Sequence, residues 1–150
     1  MTRKVTPVAA QLVREVMLTP AVTVMPSMTL AELAKLFEHH PEVDAFPVVT
    51  ADGVLLGIVS RLDILRALRP DVELRRPDAR QVASTPVSAV MRHGVISVEA
   101  DDPAFAAADL MVETRFQSLP VVRRNGGRPV LIGIVSRQGL VHALLPGGPA

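Results

Sequence analysis

The sequence has no cysteine, tryptophan or tyrosine, and its four aromatic residues are all phenylalanine. Without cysteine there is no disulfide, no thiol nucleophile and no cysteine-ligated zinc. That absence is compatible with a reducing cytosol. So few aromatics leave almost none of the stacking platforms on which many RNA and single-strand binders rely. An excess of charge is also missing: 16 basic side chains face 15 acidic ones, for a net charge of +1. Such a balance supplies no broad field for nucleic acid or anionic lipid. Long apolar runs are absent as well. The longest spans about Pro129 to Val135, far short of the roughly 20 residues a helix needs to cross a bilayer. Arg3 and Lys4 near the N-terminus are followed by Gln11, Arg14 and Glu15, which interrupt any secretory core. The expectation is a soluble cytoplasmic protein with no nucleic-acid or membrane partner.

What is present is a repeat. The 150 residues are 49% hydrophobic, enough for one ordinary domain, and high apolar content with low net charge argues against disorder. Val16-Met17 recurs as Val90-Met91, and Val22-Thr23-Val24 as Ile96-Ser97-Val98. Phe46-Pro47-Val48-Val49 recurs as Leu119-Pro120-Val121-Val122, and Gly57-Ile58-Val59-Ser60-Arg61 as Gly133-Ile134-Val135-Ser136-Arg137. The order is the same each time and the spacings drift by only a few residues, which is the mark of a duplicated unit.

Each unit reads as strand, helix, strand, strand, helix. In the first, Val22 to Val24 is a short β-branched run. Thr29-Leu30-Ala31-Glu32 is a capping box, and Leu30, Leu33, Ala34 and Phe37 lie on one helical face stopped by Pro41. Phe46 to Val49 and Val54 to Val59 predict a hairpin around Ala51-Asp52-Gly53. Ser60 opens a second helix carrying Ile64, Leu65 and Leu68, ended by Pro70. In the second unit Ile96 to Val98 is the strand, and Asp102-Pro103 is a cap with proline at the first helical position. Ala104, Ala107, Ala108 and Met111 form its helical face. Leu119 to Val122 and Val130 to Val135 flank Asn125-Gly126-Gly127, and the last helix begins near Ser136. Arg69 to Ala83, rich in charge and proline, reads as a linker. The boundaries are therefore 12–68, a linker at 69–84, and 85–145. A unit of roughly 55 residues buries too little surface to be comfortable alone, so the two are expected to pack together.

The doubled pattern Val-Met, Val-Thr-Val, Phe-Pro-Val-Val, Gly-Ile-Val-Ser-x-x-Asp resembles a tandem pair of cystathionine-β-synthase-type domains, the CBS pair or Bateman module. The resemblance covers nearly the whole chain, from about Leu12 to Leu144. It implies an α/β (α+β) fold of two β-α-β-β-α repeats related by pseudo-two-fold symmetry, and a regulatory, non-catalytic role. It also implies clefts between the repeats that take AMP, ADP, ATP or S-adenosylmethionine as a regulatory ligand, with no required cofactor and no metal. Two such modules often pair as a homodimer. No enzyme, channel or transporter domain is appended, so a stand-alone module acting on an unidentified protein target is expected.

Ser60 and Asp63 carry most of the site reading. In the family, matching hydroxyl and acidic positions hold the nucleotide, the acid accepting from ribose hydroxyls. An ionised carboxylate has no donors of its own, so a diol suits it. Arg61 is a candidate to add charge beside a phosphate. Ser60-Arg61-Leu62-Asp63 is equally a capping box, and the two roles are compatible. In the second repeat the acid position is Gly139, which predicts one competent and one degenerate cleft. Carried over by position, the competent cleft combines Ile58, Ser60, Arg61 and Asp63 with Gly94, Val95, Ile96, Phe116, Gln117 and Ser118. Backbone groups near Val95 and Gln117 would read the base edges. Phe116 would lie on its face or belong to the core. The degenerate cleft combines Ile134, Ser136 and Arg137 with Pro20, Val22, Val43, Asp44 and Ala45.

Other candidates carry less. His39-His40 looks like a metal dyad, but neighbours on a helix diverge by roughly 100°; solvated or C-capping histidines are favoured. Arg123, Arg124 and Arg128 flank a hairpin turn and read as a solvated tip. Asp101-Asp102 lies at a helix start, where carboxylates complement the dipole. No Gly-rich phosphate loop or nucleophile elbow occurs. The alternative function is a structural dimerisation or interaction module that has lost its ligand.

Overall fold

The computed structural model describes residues 11–71, 73 and 75–145; Arg3 and Lys4 lie outside them. The chain forms two compact units, each assembled from both sequence repeats. Residues 22–95 make one, and residues 11–21 join 96–145 in the other. The Val-Met segment at the head of each repeat belongs with the body of the other repeat.

In the unit of residues 22–95, Thr29 caps α2 (Leu30–His39), which follows a short α1 (Val13–Val16) of the other unit. The Thr29 hydroxyl accepts from the Glu32 amide at 3.2 Å, and the Glu32 carboxylate accepts from the Thr29 amide at 3.2 Å. This reciprocal box satisfies amides left open by the first helical turn. Leu30, Leu33 and Phe37 are buried, whereas Ala34 faces solvent and Leu36 is half-buried. The apolar stripe is thus turned slightly from the expected one, since leucine gains more by burial than alanine. Strands β1 (Ala45–Val49) and β2 (Leu55–Ser60) pair antiparallel, with Gly53 at φ 81° in their turn. The expected first strand reduces to one parallel bridge, Val24 to Val48. Val24 is buried, whereas Val22 is exposed. Helix α3 (Arg61–Ala67) follows β2 directly. The expected linker contains α4 (Ala79–Ser84), capped by Asp78 and packed on α2 through Val82. The core comprises Val24, Leu30, Leu33, Phe37, Phe46, Val48, Val59 and Val87. Full burial of each large side chain contributes about 1.5–3 kcal/mol.

The second unit has the same plan with a longer hairpin. Strand β3 (Val98–Glu99) lies parallel to β4 (Ser118–Asn125), which pairs antiparallel with β5 (Arg128–Ser136). Ile96, expected in the strand, is outside it and exposed. Helix α5 (Ala104–Thr114) is preceded by Pro103 as N-cap, not as the first helical residue. Asp102 instead accepts from the Glu99 amide at 2.8 Å, closing the turn before it. Asp101 pairs with Arg14, which ties α1 to this turn. Helix α6 (Arg137–Leu144) is capped by Ser136. Its unit's core is Val13, Val98, Ala104, Ala107, Met111, Leu119, Val121, Val135 and Leu140.

The Val-Met segments explain why glycine stands inside β2 and β5. Arg92 and Ile58 exchange two backbone hydrogen bonds of 2.8 and 3.0 Å, so the chain after Met91 runs along β2. A Cβ on Gly57 would lie 2.5 Å from the Arg92 carbonyl oxygen. In the other unit Leu18 and Ile134 exchange the equivalent bonds, of 2.8 and 3.0 Å. A Cβ on Gly133 would lie 2.8 Å from the Leu18 oxygen. Close backbone approach is the physical requirement these glycines meet.

Candidate functional site

The helix start at Ser60 is built as the capping reading required, with an addition. The Ser60 amide donates to Asp63 Oδ2 at 2.8 Å and the Ser60 hydroxyl donates to the same oxygen at 3.0 Å. The Asp63 amide returns a long contact to Ser60 Oγ, at 3.4 Å. The other oxygen, Oδ1, accepts from Arg66 Nη1 at 3.2 Å and faces Arg92 Nε at 3.5 Å. Asp63 is 3% exposed, while the two arginine side chains are 46% and 41% exposed. A buried carboxylate is held by a helix cap on one side and by two half-exposed guanidinium groups on the other. Pairing of this kind is what permits a charge to be buried at all.

Arg61 is engaged elsewhere. Its guanidinium donates to the carbonyls of Val43 at 2.7 Å and Phe37 at 3.2 Å, and it lies 4.5 Å from the Phe37 ring centroid. It clasps the end of α2 to the loop before β1. Arg137 repeats the device, donating to the carbonyls of Arg115 at 3.1 Å and Phe116 at 3.3 Å. The Arg of each Ser-Arg pair is therefore a structural clasp in this structure. Replacing Arg61 by Met is expected to cost about 1–2 kcal/mol, from two carbonyl bonds and a cation–ring contact. Chemical denaturation measures this, and an unchanged midpoint would contradict the clasp.

Of the residues assigned to the competent cleft, Ile58, Ser60, Arg61, Asp63, Gly94 and Val95 lie in the unit of residues 22–95; Ile96, Phe116, Gln117 and Ser118 lie in the other. Gly94 takes φ 62°, so the turn after Arg92 and His93 favours glycine. Phe116 is half-buried against the core of its own unit, and Ser118 is buried. The backbone carbonyl of Gln117 accepts from the Arg137 amide at 2.8 Å. Of the degenerate set, Pro20, Ile134, Ser136 and Arg137 share one unit, and Val22, Val43, Asp44 and Ala45 share the other. Ser136 Oγ accepts from the Gly139 amide at 2.9 Å, so the cap survives there without the acid.

Sequence reasoning missed Arg66 and Arg92. Arg66 stands three residues after Asp63 on one helix, a spacing that brings side chains together. Arg92 is brought by tertiary structure, and its only sequence signal was the repeat. His39 Nδ1 lies 2.8 Å from the Lys35 carbonyl, a C-terminal cap contact. Among the described residues no cluster of three or more His, Asp or Glu side chains is placed to hold a metal. No described helix is long and apolar enough to cross a membrane.

Two units that share a helix–hairpin–helix plan, with a serine-capped helix after each hairpin, define a tandem-repeat α/β module. The family model described as CBS domain matches residues 13–70 and 87–146, and the chain belongs to that family as a tandem CBS-domain pair. The CBS domain-containing protein YhcV of Bacillus subtilis is 36% identical over 124 residues, spanning 83% of this chain and 79% of that protein. The crystal structure of CBSX2 in complex with AMP is similar at a TM-score of 0.72 and 28% identity, covering 89% of this chain and 96% of that one. The CBS domain pair of protein MJ0100, from a structure with 5′-methylthioadenosine and S-adenosyl-L-methionine, is similar at 0.69 and 26% identity, covering 89% and 94%.

Proposed function

We propose that this chain is a non-catalytic sensor module that binds an adenosine-containing ligand, with the ribose hydroxyls on Asp63. The observation that carries this reading is a buried carboxylate beside the Ser60 hydroxyl at the start of α3. The family resemblance implies a ribose contact at this position, and similar structures are complexes with AMP or with 5′-methylthioadenosine and S-adenosyl-L-methionine. A ligand acts on such a module only through its differential affinity for two states, so the output is a change in what a partner protein meets. Apolar side chains are left in solvent in each unit, Leu62 and Leu65 on α3 of one and Val112 and Val141 on α5 and α6 of the other, and a homodimer would have such side chains to cover. A cytoplasmic setting fits the reading. Calorimetric titration with AMP, ADP, ATP and S-adenosylmethionine tests it. At least one is expected to bind, and Asp63→Asn to weaken it by about 10-fold or more. Silence with all four would overturn it.

A second reading has its own support. Every side of the Asp63 carboxylate already has a partner within its unit, and Gly139 removes the acid from the other repeat. On this reading the pair is a dimerisation module, with a melting temperature indifferent to nucleotides.

A further inference from the structure

We infer that Arg92 selects the ligand: it leaves Asp63 when a ribose arrives and takes the ligand's phosphoryl group, so the site prefers phosphorylated nucleosides over uncharged adenosine or the sulfonium cofactor. This rests on the adenosine-ligand reading of Asp63. A carboxylate offers about four acceptor sites. Two are occupied at Oδ2 by the Ser60 amide and hydroxyl, and Oδ1 holds Arg66 at 3.2 Å and Arg92 at 3.5 Å. A ribose diol therefore enters by displacement. The Ser60 contacts close the helix cap, and Arg66 is tethered on the same helix. Arg92 has the longest contact and a side chain 41% exposed, so it is the group that yields. Its backbone stays on β2 through the two bonds to Ile58, which keeps the freed guanidinium next to the ribose. A phosphoryl group on that ribose replaces the carboxylate as its partner, with charge-assisted and often bidentate hydrogen bonds. Uncharged adenosine leaves Arg92 without a replacement, and a sulfonium adds a like charge.

The second repeat supports treating the three groups as one device. Where Asp63 is replaced by Gly139, Arg66 is replaced by His142, and Arg92 by Leu18. Leu18 keeps the backbone bonds to Ile134 that Arg92 makes to Ile58. The backbone role of the position is thus separable from its charge.

Calorimetric titration of the full chain and of Arg92→Leu with AMP, adenosine and S-adenosylmethionine provides the test. The wild-type protein is expected to bind AMP about 10-fold or more tightly than adenosine, and Arg92→Leu to bring that ratio near one without weakening adenosine. AMP binding with the ratio unchanged in Arg92→Leu overturns the selection role and leaves the ribose reading intact. Equal wild-type affinity for AMP and adenosine overturns it without recourse to a variant that folds. No binding of these three, nor of ADP or ATP, by the wild-type protein removes the ribose reading itself, and the selection role with it.

Discussion

Gly57→Ala is expected to lower stability by about 2–3 kcal/mol, a fall of roughly 5–10 °C in melting temperature. The new methyl group would lie 2.5 Å from the Arg92 carbonyl oxygen and 3.0 Å from Met91 Sδ. The sulfur can swing away. The carbonyl cannot, because it accepts from the Ile58 amide at 3.0 Å while the Arg92 amide donates to the Ile58 carbonyl at 2.8 Å. Relief therefore separates the Val-Met segment from β2 and loosens Val87, a buried member of the same core. Gly133→Ala should behave alike, against the Leu18 oxygen at 2.8 Å and Met17 Sδ at 2.9 Å. Gly139→Ala provides the control. Its Cβ meets only the Ser136 hydroxyl at 3.1 Å and the Val16 oxygen at 3.7 Å, and a Cβ stands at the matching Asp63 position under the same kind of cap. The Ser136 hydroxyl can retreat toward the longer cap distance of 3.4 Å found at Asp63, and losing a glycine favours the helix by up to about 1 kcal/mol, less the cost of that stretched cap. Urea denaturation of the three variants checks the opposite signs, and equal effects at Gly57 and Gly139 would refute the close-approach argument.

Asp63→Ala is expected to cost about 2–3 kcal/mol. It removes the acid half of a capping box and deprives the Ser60 amide and hydroxyl of the acceptor they share at Oδ2. It also leaves Arg66 and Arg92 facing each other without the anion between them. Both guanidinium groups are half-exposed, so water repays part of that loss, and the estimate stays below that for a fully buried pair. The cost should shrink in the Arg92→Leu background, because the repulsion left by the missing carboxylate is then reduced. A double-mutant cycle in denaturant measures that coupling. Strict additivity would mean that the 3.5 Å contact between Arg92 and Asp63 carries no energy.

Much of the local structure was legible in the residues. Thr29 with Glu32 and Ser60 with Asp63 are hydroxyl–carboxylate pairs three apart, and both form reciprocal caps because that spacing alone brings each side chain to the other's amide. The Ala51-Asp52-Gly53 and Asn125-Gly126-Gly127 turns fell where two apolar runs had to reverse. The leading strands were less legible. Val22-Thr23-Val24 and Ile96-Ser97-Val98 are only three residues long, and such a short run has too little pattern of its own to set where pairing begins. The pairing that formed was one bridge at Val24 and a strand displaced to Val98–Glu99. The carbonyl clasps of Arg61 and Arg137 were not legible, because a guanidinium near a helix start suits a phosphate and a carbonyl equally well by charge and donors. Only the position of the Val43 and Phe37 carbonyls decides between them.

By itself the sequence determined the duplication, the family, the caps, the turns and the loss of the acid at Gly139, since each is written in residue types at short fixed spacings. The tertiary structure decided which Val-Met segment lies against which glycine-bearing strand, and so delivered Arg92 to Asp63. Those contacts join residues far apart in the chain through backbone hydrogen bonds, which any residue type can make. Besides the repeat itself, their trace in the sequence was a glycine in the middle of a strand.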